Sequence, residues 1–206
     1  MSHEFWYLSR AAGFTAYLAL FASMALGMMI TTRAAARTGR QQLVFDMHRF
    51  TAILALALSL FHVYVLLGDQ YFSFSVWQLS LPFASSYRTP PTALGVISLY
   101  AMSIVVASFY VRKYIGQRAW RAIHFITFAM YASVTLHGIT AGTDTVQTWA
   151  KLIYLSTGAI VLALIAYRIQ HHAPTSPAYT PRARDARGSA RTQVSGAAVR
   201  RAGHPR

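Results

Sequence analysis

Uninterrupted apolar runs of about 20 residues alternate with short polar segments along most of the chain, in place of amphipathic stripes. Five such runs cover residues 12–32, 43–68, 92–114, 119–141 and 148–167. Each is close to the roughly 17–25 residues that carry a helix through the hydrocarbon core. Inside lipid every backbone polar group must be satisfied within its own segment, so helices are expected. The predicted fold is an all-α polytopic membrane helix bundle with about five transmembrane helices. Residues 12–32 are too long for a signal-peptide core and are followed by arginines, so no cleavable signal peptide is expected.

Between the second and third runs, residues 69–91 hold an apolar stretch, Phe72 to Phe83, that is too short to cross and is interrupted by Pro82. It reads as an interfacial or cap-like segment with Trp77 as an aromatic anchor. Beyond Ala173 the prolines, glycines and arginines predict a disordered tail. This divides the chain into a membrane domain, 1–172, and an Arg-rich tail, 173–206.

Composition sharpens the picture. Hydrophobic residues make up 55% and charged residues 12%, against about 25% charged in soluble domains, which excludes a water-soluble globular fold. The net charge of +14 lies mostly between runs and in the tail, where it meets water and anionic lipid, so membrane lipid is the expected partner and nucleic acid is not. With the N-terminus outside, 16 of the 19 Lys and Arg residues fall inside, leaving Arg10, Arg88 and Lys151 outside. That split obeys the positive-inside rule and puts the C-terminus in the cytoplasm of a bacterial-type inner membrane. With no cysteine, disulfides, iron–sulfur clusters, thiolate zinc sites and covalent haem attachment are excluded.

Four of the eight histidines, His48, His62, His124 and His137, lie within the second and fourth runs. Ionisable side chains inside spans are functional candidates by default. His48 and His62 stand 14 positions apart, and His124 and His137 13 positions apart, about 21 Å and 20 Å along a helix. In this topology both helices run outward, so His48 faces His124 near the inner surface and His62 faces His137 near the outer one. A haem iron held between two imidazoles needs that arrangement, and filled axial positions favour electron transfer. At about 100° per residue, 14 steps return to within roughly 40° of the starting face, but 13 leave about 140°. A straight fourth helix would therefore aim its histidines differently, and a tilt, distortion or change of haem orientation must absorb the difference. The alternative is a haem-free membrane scaffold in which the histidines make helix–helix hydrogen bonds.

The double histidine spacing resembles the ferric reductase-like transmembrane domain, shared with NADPH oxidases and metalloreductases. It also resembles the haem-binding membrane partner of the periplasmic methionine sulfoxide reductase. Supporting strings are Leu81 to Arg88, Gly116 to His124 and Leu136 to Asp144, and the similarity spans about residues 43–144. The resemblance implies two b-type haems, His48/His124 inner and His62/His137 outer. It further implies electron flow toward ferric iron or a periplasmic redox protein, in a ferric reductase-like oxidoreductase or the membrane subunit of a two-component reductase. Large members have six core spans and an appended flavin- and nicotinamide-binding region; here five spans are counted and nothing like that region fits after Tyr167. A separate donor, flavoprotein or quinol, is therefore expected. Arg88, Arg118 and Arg121 are candidates to pair with haem propionates, and equally loop cations that set topology. Asp46 is a helix-start charge or a hydrogen-bond acceptor for a ligating ring. Phe61, Phe125, Phe128 and Tyr131 are expected to pack the core or haem pocket, and Gly13, Gly27, Gly95 and Gly138 to permit close approach.

Overall fold

The computed structural model describes residues 4–32, 39–69 and 73–170. The expected disordered tail, 173–206, lies outside the described residues. The elements are α1 (Glu4–Thr31), α2 (Gln41–Leu67), a short α3 (Val76–Ser80), α4 (Thr89–Phe125), α5 (Thr127–Ala141), a 3₁₀ turn (Asp144–Val146) and α6 (Thr148–Gln170).

Four helical runs among the described residues are long and apolar enough to cross a membrane, and one of them, Thr89–Ala141, has 53 residues. Straight, it would measure about 80 Å, far beyond a core of about 30 Å. Instead it folds back at Gly116, whose φ of 81° and ψ of 159° belong to a region open only to glycine. The two arms meet again at their far ends. Arg88 Nη1 donates to the Thr140 carbonyl at 2.7 Å, and His137 Nδ1 lies 2.8 Å from the Pro91 carbonyl. The protein is therefore a multi-pass helical bundle with five crossings.

The first helix starts earlier than its apolar run, at Glu4. Arg10, which interrupts the apolar pattern, pairs with Asp144 just beyond α5 and stacks over Trp6 at 4.0 Å. Its charge is thereby neutralised within the bundle. From α1, Ser9, Ala12, Ala16, Ala19 and Ser23 are buried. Such small residues let helix backbones approach closely in a membrane.

The core gathers Tyr17, Leu20, Ala55, Met102, Met130, Tyr131, Tyr154 and Val161. Buried hydroxyls need partners. The Tyr17 hydroxyl finds them in Tyr131 at 3.1 Å and Thr157 at 2.6 Å, which ties α1 to α5 and α6. Phe125 and Phe61 do not join this core; they are 65% and 40% exposed, as a lipid-facing residue is. Leu155, Leu162 and Ile169 on α6 are exposed in the same way.

The cap-like segment forms α3, opened by a capping box between Ser75 and Gln78. Val76 and Trp77 are exposed, Leu79 is buried, and the Tyr100 hydroxyl donates to the Ser80 carbonyl at 2.6 Å. That bond lashes α3 to the side of α4. Around it Ser73, Phe83 and Arg88 adopt left-handed backbone angles, an uncommon state for residues with a side chain.

Candidate functional site

Three of the four span histidines are held alike. His62 Nδ1 lies 2.8 Å from the Ser9 carbonyl, His48 Nδ1 2.8 Å from the Ser23 carbonyl, and His137 Nδ1 2.8 Å from the Pro91 carbonyl. A carbonyl oxygen only accepts, so Nδ1 is the donor in each ring, which in the neutral imidazole leaves Nε2 with a free lone pair. A neutral imidazole with its far nitrogen held by a backbone carbonyl is the state in which histidine ligates a metal. The hydroxyls of Ser9 and Ser23 approach the same Nδ1 atoms at 3.2 and 3.1 Å.

Glycines make these contacts sterically feasible. The spot a Cβ would occupy at Gly13 is 3.3 Å from His62 Cε1, at Gly27 3.2 Å from His48 Cε1, and at Gly95 2.6 Å from His137 Cε1. Gly138 differs, since the Tyr154 ring packs against it. Asp46 is not the partner of His48. Its carboxylate accepts from Gln42 at 3.0 and 3.1 Å, while the His48 ring has turned toward α1.

A cavity of about 230 Å³, open at its mouth, lies at the end of the bundle that holds His62 and His137, and both residues border it. Its wall is mainly apolar, with Leu20, Val63, Leu66, Val96, Leu99, Met102 and Val134. Tyr17 and Tyr154 close it toward the middle of the bundle, and Leu79, Phe74 and Tyr87 line it from the α3 segment. Arg10 and Asp144 stand on its polar side, whereas Arg88 is outside it and spends a nitrogen on the end of α5. Sequence reasoning missed Arg10. The one signal was an arginine near an apolar run, which fits any topology-setting cation equally well.

At the opposite end the rings of His48 and His124 have their centres 6.1 Å apart with planes at 75°. Two imidazoles on opposite sides of one metal, each bonded at about 2.0–2.1 Å (the zinc value), would hold their centres about 6 Å apart. His124 makes no Nδ1–carbonyl contact among the described residues; its ring stacks on Trp120 at 5.2 Å and 26°. Arg118 and Arg121 are exposed on the same segment. The 140° mismatch between His124 and His137 meets a distortion between them. Ile126 N–H bonds the Ile123 carbonyl at 3.1 Å, the i to i+3 bond of a tighter turn. A tighter turn adds rotation per residue and so carries His137 back toward the face of His124.

Among the described residues no three or more His, Cys, Asp or Glu side chains gather to hold a metal ion. Paired imidazoles, three of the four with Nδ1 engaged on a carbonyl, instead suit an iron whose remaining ligands come from a macrocycle. The apolar lining of the cavity and the glycine cradles fit such a group. No curated protein and no solved structure matches the chain. The family pattern described as "Ferric reductase like transmembrane component" matches residues 12–135, which takes in the first helix as well as His48, His62 and His124 and stops two residues short of His137. Members of that family generally bind haem and serve electron transfer in membranes. A match over more than half of its length, on a five-crossing bundle with histidines paired at two levels, places the chain in the ferric reductase-like transmembrane family.

Proposed function

We propose that the protein is a di-haem b-type membrane cytochrome that carries electrons across the inner membrane, His48 with His124 serving the inner level and His62 with His137 the outer. Haem bound at both levels would supply two one-electron carriers. The carrying observation is the pairing itself: His62 and His137 border one apolar cavity, with Nδ1 of each engaged on a neighbouring helix.

The chain's own part is to grip, orient and insulate. Backbone carbonyls of α1 and α4 fix the imidazole tautomers, leaving Nε2 for iron. The apolar wall excludes water, and Arg10 on the polar rim has its charge matched by Asp144. Charge distribution supports an N-terminus outside and a C-terminus in the cytoplasm, so the acceptor, ferric iron or a periplasmic redox protein, would meet the His62 end. The donor is a separate flavoprotein or membrane quinol. As the membrane subunit of a two-component reductase, the protein would hand its electrons to a partner enzyme. Ferric chelate reduction by reconstituted protein alone would favour the direct reductase instead.

The deciding experiment is a reduced-minus-oxidised spectrum of purified protein with pyridine haemochrome quantification. Two b-type haems per chain are expected. Protein free of haem after expression with ample haem supply would overturn the reading in favour of a scaffold.

A further inference from the structure

In a helix the carbonyl of residue i points toward the N–H of residue i+4, and the Cβ at i+4 leans back over that carbonyl. A glycine at i+4 uncovers the carbonyl's second lone pair for a donor on a neighbouring helix. The bundle uses this device three times: Ser9 with Gly13 receives His62, Ser23 with Gly27 receives His48, and Pro91 with Gly95 receives His137. The α1 sockets repeat after 14 residues, as do the histidines they hold. Fourteen residues are two heptads, a spacing that keeps positions on one seam between packed helices.

His124 breaks the pattern. It lies 13 positions from His137, so it falls off the seam. Two heptads on from Pro91 and Gly95 stand Val105 and Phe109, where a glycine would be needed. Phe109 is instead covered by the guanidinium groups of Arg112 at 4.3 Å and Arg49 at 5.5 Å. His124 rests on Trp120, its neighbour one turn back.

Resting on the two-haem reading above, we infer that these three residue pairs are positioning residues for iron ligation and that the centre gripped from both sides, His62/His137, has the lower midpoint potential. An imidazole donating Nδ1–H to a carbonyl is a more basic ligand, and a more basic ligand stabilises ferric over ferrous iron. The His62/His137 centre has two such ligands and the His48/His124 centre has one. Charge acts with the same sign, since Arg10 at the His62 end is matched by Asp144. Arg168 lies 5.7 Å over Phe128, one turn from His124, and positive charge favours the reduced state of the neighbouring iron.

The test uses the full-length chain in detergent, with haem content, low-spin electron paramagnetic resonance and a redox titration. Wild-type protein should titrate in two components. Gly95→Ala should lower haem content from two to one per chain and remove the lower component. Ser9→Ala removes the hydroxyl that shares His62 Nδ1 with the carbonyl at 3.2 Å, and should keep both haems and move only the lower component upward; Ser23→Ala removes the one at 3.1 Å from His48 Nδ1 and should move only the higher one. Ser9→Ala and Ser23→Ala also decide the matter should Gly95→Ala fail to accumulate. Variants that keep both haems with unchanged potentials and resonance signals, or serine variants that shift the same component, would overturn the sockets while leaving the two-haem reading intact. Wild-type protein without haem would overturn that reading, and the positioning role with it.

Discussion

At the His62 end of the bundle both imidazoles hang from backbone carbonyls of neighbouring helices and border one apolar cavity. At the His48 end one imidazole has that support; the other leans on an indole, and the two ring centres are 6.1 Å apart. The same pair of residue types is thus held by backbone at one end and half by side-chain stacking at the other. A carbonyl in a helix cannot shift without moving its turn, whereas an aromatic ring on a separate rotamer can. Rigidity is therefore distributed unequally along the membrane normal, and the difference follows from one missing residue between His124 and His137.

The sharpest way to break this comparison is His137→Ala. It should remove the haem at its own end and leave the other, halving the Soret absorbance per chain; loss of both would mean the levels are not independent. Next come two substitutions that separate the ends by stability. Gly116→Ala forces a side chain into a glycine-only region and should cost about 1–3 kcal/mol, seen as a lower thermal transition with the absorbance of both centres retained before melting. Asp144→Asn strands Arg10 beside the cavity. Its cost should fall between the about 0–1 kcal/mol of a surface pair and the about 3–5 kcal/mol of a buried one. Haem dissociation on heating should then accelerate at the His62 end alone. The smallest effect belongs to Trp120→Ala, which removes a ring contact worth about 0.5–1.5 kcal/mol and should perturb the resonance signal of the His48 end only. A change at both ends would show that the indole does more than prop His124.

The five crossings and the paired histidines were legible from the chain, because span length and helical rise are set by the bilayer and the backbone. The spacing of 13 required a tilt, a distortion or a change of haem orientation, but did not show that a tightened turn would fall at Ile126. The sockets were hidden for a different reason. Ser9 with Gly13 and Ser23 with Gly27 look like any small-residue face on a membrane helix, with Ala12, Ala16 and Ala19 beside them. They acquire meaning only once α1 is known to lie against α2. Arg10 and Asp144 are 134 positions apart, so no local pattern could pair them. For Asp46 the sequence left two roles open, and nearness to His48 could not decide between them, since a helix turns the two side chains to different sides.

In the two-haem reading, because α1 and α2 follow one another in the chain, everything needed to grasp one side of each iron lies within residues 9–62. Chains are made amino end first, so a growing polypeptide would offer two shaped half-grips before the second hairpin exists. The later pair of helices would then close over a cargo already seated, and the finished protein would need no door through which to admit it.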